Sequence, residues 1–125
     1  AKKVSGSTKL IGVTVLTSLN NKSLKEIGYN MEIKKLVRNQ AKLAAKAKLD
    51  AFVCSPHEIK IVKKVFKKEI ITPGIRLLND KKDDQIRVTT PKEAFQNGAT
   101  SLVMGRSITS GNIKKNIKKI IEELN

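Results

Sequence analysis

The chain has 125 residues, 39% of them hydrophobic, and a formal net charge of +15. This length is enough for one domain with a buried core, and no apolar run is long enough to cross a membrane. The single cysteine, Cys54, excludes an internal disulfide and a cysteine metal cluster. We therefore expect a cytoplasmic protein without a metal or cofactor, and the start at Ala1 suggests a longer parent chain.

The positive charge raises the possibility of nucleic-acid binding. Lysine far outnumbers arginine, and only three phenylalanines and one tyrosine could stack on bases. The lysines also fall opposite the apolar stripes of the predicted helices, as Lys60, Lys63, Lys64 and Lys67 do. Solvated helix faces are the favoured interpretation, and a basic nucleic-acid-binding remnant stays as an alternative.

The first half of the chain alternates strand-like and helical segments. Leu10–Leu16 is apolar throughout, which is typical of a strand buried on both faces. A helical turn at Ser23–Ile27 and an amphipathic helix over Glu32–Lys48 follow. Ala51–Cys54 is then the second predicted strand.

The next unit begins with Ser55-Pro56-His57-Glu58, a pattern typical of a helix start. The helix that it opens carries Ile59, Val62 and Phe66 on one face. Glu69–Thr72 is the third predicted strand.

A long polar loop, Pro73–Thr89, precedes a second capping pattern at Thr90-Pro91-Lys92-Glu93. Gly98 is placed to end that helix. Ser101–Met104 is the fourth strand, and Asn112 opens the last helix. Four consecutive βα units predict an α/β fold with a parallel sheet, either a small open sheet or half of an eightfold barrel.

In parallel α/β folds, ligands bind where the strands end. Gly105-Arg106 follows the fourth strand, and Arg76 follows the third. Glycine lets a ligand approach the backbone and arginine matches phosphate geometry, so a phosphate site is predicted here. His57 and Cys54 are interpreted as a helix residue and a core residue, because no partner positions them for catalysis.

Several segments resemble the C-terminal half of bacterial-type orotidine 5′-phosphate decarboxylases. They occur in the order and at about the spacing of that family. The matching segments are Gly12-Val13-Thr14-Val15-Leu16-Thr17-Ser18, Val53-Cys54-Ser55, Thr72-Pro73-Gly74-Ile75-Arg76, Asp84-Gln85 with Arg87, Thr90-Pro91 and Val103-Met104-Gly105-Arg106-Ser107-Ile108-Thr109.

The resemblance implies one partial domain over residues 1–125, holding about strands five to eight of a TIM (β/α)8 barrel, with the N-terminal half absent. It implies decarboxylation of orotidine 5′-phosphate to uridine 5′-phosphate in pyrimidine biosynthesis, and a homodimer for the full-length enzyme. Thr17 would contact the pyrimidine, and Arg76, Gln85 and Arg106 would hold the phosphate beside the Gly105 amide. Asp83 stands where family members usually have glycine, which puts the path of the Gln85 loop in doubt.

The family's catalytic Asp-x-Lys-x-x-Asp motif does not occur in the 125 residues. Asp80-Lys81-Lys82 supplies only its first part and lies in a loop, so we interpret it as chance. No catalytic residue is therefore predicted in this chain, and we expect the isolated chain to be inactive. A related phosphosugar lyase on the same barrel is the second alternative.

Overall fold

The computed structural model describes residues 1–77 and 88–124. Within these ranges, four parallel strands form one sheet in the order β1-β2-β3-β4. The strands are Ile11–Val13 (β1), Ala51–Val53 (β2), Glu69–Thr72 (β3) and Ser101–Leu102 (β4). Val13 lies opposite Val53, Val53 opposite Ile71, and Ile71 opposite Ser101. The predicted α/β class with a parallel sheet is confirmed.

The strands are joined by helical crossovers, as parallel pairing requires. The helices are Asn21–Glu26 (α1), Ile33–Lys46 (α2), Ile59–Lys63 (α3), Pro91–Asn97 (α4), Arg106–Thr109 (α5) and Ile113–Leu124 (α6). Two 3-10 turns, Lys2–Val4 and Pro56–Glu58, complete the described elements. Every helix in these parts of the chain is too short or too polar to span a bilayer.

Three helix ends lie where the capping patterns predict them, whereas the Ser55-Pro56-His57-Glu58 pattern opens the 3-10 turn Pro56–Glu58, and α3 begins only at Ile59. The Thr90 hydroxyl accepts from the Glu93 amide, and the Glu93 carboxylate accepts from the Thr90 amide, at 3.3 Å each. Gly98 ends α4 in the left-handed conformation at φ 107°, which glycine adopts without strain. The Asn112 side chain accepts from the Lys115 amide at 3.0 Å and starts α6.

The core lies between one face of the sheet and the helices. Phe52, Ile70 and Leu102 alternate with residues of the opposite face and pack against helix side chains. The Phe52 and Phe66 ring centroids lie 5.5 Å apart within this layer. The other buried hydrophobic residues of this core are Leu24, Ile33, Val37, Ala41, Ala44, Cys54, Ile59, Val62, Ile75, Ala94 and Ala99.

The prediction that the first strand is buried on both faces is wrong. Ile11 and Val13 are 50% and 66% exposed, and the strand covers only Ile11–Val13 instead of Leu10–Leu16. β1 lies at an edge of the sheet, and no helix in the described part of the chain covers the face that carries these two side chains. A continuous apolar run does not distinguish a covered face from an open one.

Several element boundaries also differ from prediction. The second strand ends at Val53, the fourth ends at Leu102, and α2 ends at Lys46. α3 ends at Lys63, so Phe66 lies beyond the helix and is buried there by a turn whose amide bonds return to the Val62 carbonyl. The four-residue α5 after Gly105 was not predicted, because so short a helix has no apolar period.

Candidate functional site

The ends of β3 and β4 lie side by side at the C-terminal edge of the sheet. Thr72 pairs with Leu102, and the Val103 amide donates to the Thr72 carbonyl at 2.9 Å. The chain leaving β3 leads to Arg76, and the chain leaving β4 leads to Gly105 and Arg106. The structure therefore places both predicted arginine segments after neighbouring strands at one edge, as parallel pairing dictates.

Backbone hydrogen bonds to Thr89 fix the position of the Arg76 segment. The Arg76 amide donates to the Thr89 carbonyl at 3.0 Å, and the Thr89 amide donates to the Gly74 carbonyl at 3.1 Å. These bonds flank a parallel bridge between Ile75 and Thr89. We call these two bonds and the bridge the Thr89 clamp. Gly74 has φ 77°, a conformation that favours glycine, and it turns the chain after Pro73 into the clamp.

The guanidinium of Arg76 is the most informative group of the site. The Arg76 residue is only 6% exposed, although arginine is almost never fully buried without a partner. One nitrogen, Nη1, donates to the Ile75 carbonyl at 2.9 Å, whereas the buried Nε has no hydrogen-bond partner among residues 1–77 and 88–124. An anion would satisfy this unused donor, and the planar donor set of guanidinium fits a phosphate or carboxylate.

Gly105 follows β4 at the same C-terminal edge of the sheet. It is exposed, and a Cβ built on it would meet no atom within 4 Å, so the space above its backbone is open to a ligand. Its carbonyl accepts from the Ile108 amide at 2.8 Å and from the Thr109 amide at 3.0 Å, which starts α5. Arg106 is the first residue of that helix and is exposed.

Two further hydroxyls are buried near these strand ends, and the sequence did not single them out. The side-chain oxygens of Thr72, at the end of β3, and of Ser107, in α5, have no hydrogen-bond partner in the described part of the chain. Thr89 was also missed, although its backbone holds Arg76. Periodicity gives no signal for any of the three, because their roles arise from tertiary neighbours.

The remaining predicted site residues are placed differently. Thr17 is half-buried in the turn after β1, at the edge of the sheet distant from β4. Asn20, and not Thr17, caps α1: the Asn20 side chain accepts from the Ser23 amide at 2.9 Å. Gln85, Asp83 and the Asp80-Lys81-Lys82 sequence lie outside the described residues.

His57 follows β2, the strand next to β3. His57 is exposed in the 3-10 turn after β2, and its backbone amide donates to the Ser55 hydroxyl at 3.3 Å. It borders an open cavity of about 540 Å³, together with Glu32 and the buried Glu58. Among the residues that the structure describes, no cluster of three or more His, Cys, Asp or Glu side chains could hold a metal ion.

Comparisons with known proteins give one consistent result. The sequence model described as "Orotidine 5′-phosphate decarboxylase / HUMPS family" matches residues 1–120. The chain is 48% identical over 106 residues to orotidine 5′-phosphate decarboxylase of Prochlorococcus marinus (strain MIT 9312). It is 47% identical over 102 residues to the enzyme of that name from Coxiella burnetii (strain RSA 493 / Nine Mile phase I). Each match covers 80% of this chain and 43% of the relative, so the chain spans less than half the length of these relatives.

Solved structures give a similar result. A crystal structure of orotidine 5′-phosphate decarboxylase from Lactobacillus acidophilus superposes with a TM-score of 0.73 at 31% identity, over 94% of this chain and 49% of the other. A second structure, from Methanocaldococcus jannaschii and complexed with the inhibitor BMP, has a TM-score of 0.66 at 23% identity. That match covers 99% of this chain and 54% of the other, and supports a likeness of fold alone.

Proposed function

Because the chain belongs to the orotidine 5′-phosphate decarboxylase / HUMPS family, we propose that it is the substrate-gripping half of a decarboxylase. The complete enzyme would convert orotidine 5′-phosphate to uridine 5′-phosphate in pyrimidine biosynthesis, without a cofactor. The names of the Prochlorococcus and Coxiella relatives support this reaction over that of a phosphosugar lyase. The enzyme would be a cytoplasmic homodimer in its full-length form.

The four strands β1 to β4 would be strands five to eight of an eight-stranded barrel. Four successive parallel βα units with two free sheet edges are what half of such a barrel would contain. The relatives are about twice as long as the matched region, which supports the same interpretation. The Asp and Lys residues that perform decarboxylation would belong to the other half.

The buried Arg76 guanidinium carries the proposal. Its backbone is fixed by the Thr89 clamp, and its side chain donates to the Ile75 carbonyl. Its Nε is buried and has no hydrogen-bond partner among the described residues, and Arg76 follows a strand next to the one that leads to Gly105 and Arg106. In barrels of this type, the loops after the last two strands commonly bind phosphate. A phosphate ester held by Arg76, Arg106 and the Gly105 amide would satisfy this buried donor.

Two other residues complete the proposed roles. Gln85 would close over the phosphate from its loop, and Thr17 would contact the pyrimidine from the end of β1. Binding energy gained at the phosphate, distant from the carbon that loses carbon dioxide, would be spent on stabilising the transition state there.

The test is reconstitution of activity from two halves. We would co-express this chain with the segment of the Prochlorococcus enzyme that precedes the matched region, purify the complex, and follow loss of orotidine 5′-phosphate. Activity is expected from the complex and not from this chain alone. An assembled complex with no activity would contradict the proposal.

Arginine variants of the same complex test the phosphate grip. Arg76→Gln should lower kcat/KM about 10- to 100-fold, because a hydrogen bond to a charged group contributes about 1.5–3 kcal/mol. Arg38→Gln is the matched control, since Arg38 is exposed on α2. Equal activity of the two variants would show that Arg76 does not bind the phosphate.

Ligand binding separates the alternatives. Uridine 5′-phosphate should bind the complex more tightly than either uridine or a sugar phosphate. Preference for the sugar phosphate would favour the phosphosugar lyase. Salt-dependent binding to duplex DNA that is insensitive to Arg76→Gln would favour the nucleic-acid alternative.

A further inference from the structure

The parallel strands all begin at one edge of the sheet, opposite the arginine segments, and this edge is rich in lysine. No lysine occurs in the described segments that follow the strands, which are residues 14–21, 54–58, 73–77 and 103–107. Compositional drift alone would place lysine at both edges. We use the name lysine edge for the exposed lysines near the strand starts, which are Lys9, Lys46, Lys48, Lys63, Lys67 and Lys68.

Internal partners neutralise only part of the charge of the lysine edge. One Asp50 oxygen accepts from the Lys2 side chain, and the other lies 3.6 Å from the Lys68 nitrogen. Across residues 1–77 and 88–124, no salt bridge involves Lys46, Lys48 or Lys67. These three exposed ammonium groups are therefore accessible to an anionic partner.

Lys48 has a backbone conformation that lysine rarely adopts. Its φ is 58°, the only positive value among the non-glycine residues that the structure describes. It lies in the turn that ends α2, where its amide donates to the Ala45 carbonyl and the Leu49 amide donates to the Ala44 carbonyl, at 3.0 Å each. Glycine is the usual residue at such a position, because a Cβ disfavours the left-handed conformation. Lysine thus keeps a charge here although glycine would be more stable.

A small pocket opens beside these lysines. It has a volume of about 200 Å³ and lies between the end of α2 and the turn after α3, next to the inner strands of the sheet. The Lys68 nitrogen donates to the Lys48 carbonyl at 3.2 Å, and the Lys67 nitrogen donates to the Lys63 carbonyl at 2.8 Å. These bonds hold the two lysines of the pocket wall in place. The lining residues are Ala45, Leu49, Val65, Phe66, Lys67 and Lys68.

An apolar pocket flanked by lysines discriminates between anionic partners. An acidic protein segment can insert an apolar side chain and pair its carboxylates with the lysines, as in interfaces where a pocket holds an anchor inside a polar rim. Nucleic acid has no flexible apolar group for the pocket, and Phe66, 1% exposed, cannot stack on a base. Insertion into a membrane requires protruding apolar side chains, whereas Ala45, Leu49 and Val65 are half-buried and line a depression.

We propose that the lysine edge and this pocket form a docking surface for an acidic segment of another protein. An apolar side chain of that segment enters the pocket, and carboxylates on either side of it pair with Lys46, Lys48 and Lys67. A second copy of this chain is a poor partner, because each copy carries a net charge of +15. The surface does not include Arg76 or Arg106, so it is independent of the proposed phosphate site.

The fluorescence anisotropy of a labelled synthetic peptide tests this surface on the full 125-residue chain. The probe has one phenylalanine flanked on both sides by glutamates. One comparison peptide has serine in place of the phenylalanine, and another has lysine in place of every glutamate. We expect the probe to bind about 10-fold more tightly than the serine peptide, the lysine peptide not to bind, and the affinity to fall with salt. Equal affinities of the phenylalanine and serine peptides would overturn the proposal, since the pocket would then receive no side chain.

Two pairs of lysines on the same helix locate the surface. Lys46→Gln with Lys48→Gln, at the end of α2, should weaken probe binding about 5-fold. Lys34→Gln with Lys35→Gln makes the same charge change at exposed residues in the first turn of α2, at the other end of the helix, and should leave the affinity nearly unchanged. Equal losses in the two double variants would show that total charge, and not the lysine edge, attracts the peptide.

Lys48→Gly separates binding from folding. Glycine adopts the left-handed conformation without strain, so this variant should have a higher urea midpoint and still bind the probe about 2- to 3-fold more weakly. A variant that is more stable and binds as tightly as the unmodified chain would show that Lys48 does not contact the partner.

Competition identifies the class of partner. Duplex DNA or phosphatidylserine vesicles that displace the probe, and that lose affinity in the Lys46→Gln with Lys48→Gln variant more than the probe does, would assign the lysine edge to another partner and overturn the proposal. Arg76→Gln should bind the probe as tightly as the unmodified chain does. Loss of decarboxylase activity in the reconstituted complex would therefore refute the proposed function and leave the docking surface intact.

Discussion

The two faces of the same sheet have opposite surroundings. On the helix side, Ile70 of β3 is 1% exposed and packs in the core. On the other side, Ile11 of β1 is 50% exposed, although both residues are isoleucines in short parallel strands. In the described part of the chain, helices pack against the face that carries Ile70, whereas Ile11 lies on the other face and in an edge strand.

This contrast separates what the chain stabilises by itself from what depends on a partner. The helix-covered face buries its apolar residues within the chain and gains hydrophobic free energy on folding. On the other face, Ile11 and Val13 of the edge strand remain largely in water. The arginine site at the strand ends belongs to the first category, because the clamp around Arg76 is complete within this chain.

The largest expected effect is a difference between two identical substitutions. Ile70→Ala should lower the free energy of unfolding by about 2–5 kcal/mol, because it removes buried apolar atoms and leaves a cavity. Ile11→Ala should lower it by less than about 1 kcal/mol, since half of the side chain is already exposed. Urea denaturation of the purified chain followed by circular dichroism measures both.

The same two variants can contradict this difference between the two faces. If a second copy or another part of the chain covers the open face in solution, Ile11→Ala will cost as much as Ile70→Ala. In the complex with a complementary half, the cost of Ile11→Ala should rise toward that of Ile70→Ala. A cost that stays small in the complex would show that the partner does not cover β1.

The helix-covered face was the more predictable of the two from sequence. Helix caps are local, so Thr90, Glu93, Gly98 and Asn112 could be assigned from spacing alone. Parallel pairing was also predictable, because short strands separated by helices leave few alternatives.

The open face and the details of the site could not be predicted in the same way. The apolar run that contains Ile11 reads the same whether or not another element covers it. The clamp on Arg76 depends on Thr89, which is 13 positions further along the chain. Such contacts depend on tertiary structure, and no local pattern in the sequence encodes them.

Loss of the N-terminal cap of α4, a helix on the helix-covered face, should give the next largest loss of stability. Thr90→Ala removes the hydroxyl that accepts from the Glu93 amide, and should lower the free energy of unfolding by about 1 kcal/mol. Thr90→Ser keeps the oxygen and should cost less. If the urea midpoints of the two variants coincide, the capping box does not stabilise α4.

The smallest expected effect concerns the carboxylate that holds the edge strand. The Asp50 carboxylate accepts a hydrogen bond from the Lys2 side chain. It also accepts one, at 2.9 Å, from the amide of Leu10, the residue just before β1. Lys68 lies 3.6 Å from the other oxygen. The hydrogen bond from the Lys2 side chain, followed by that from the Leu10 amide, lowers the pKa of Asp50 from 3.8 to about 2.

Because the folded-state pKa of Asp50 is depressed, its stabilisation is present above pH 3.8 and is lost as the pH falls toward 2. Asp50→Asn should therefore lower the urea midpoint at neutral pH, by less than Thr90→Ala does because the pair is partly exposed. The difference between this variant and the unmodified chain should shrink strongly as the pH falls from 3.8 toward 2, and it should also shrink at high salt. Glu93, whose pKa is also lowered, by the Thr89 hydroxyl, affects both proteins equally and cancels in the difference. A difference that persisted at low pH would show that Asp50 stabilises the edge strand through the packing of its side chain and not through its charge.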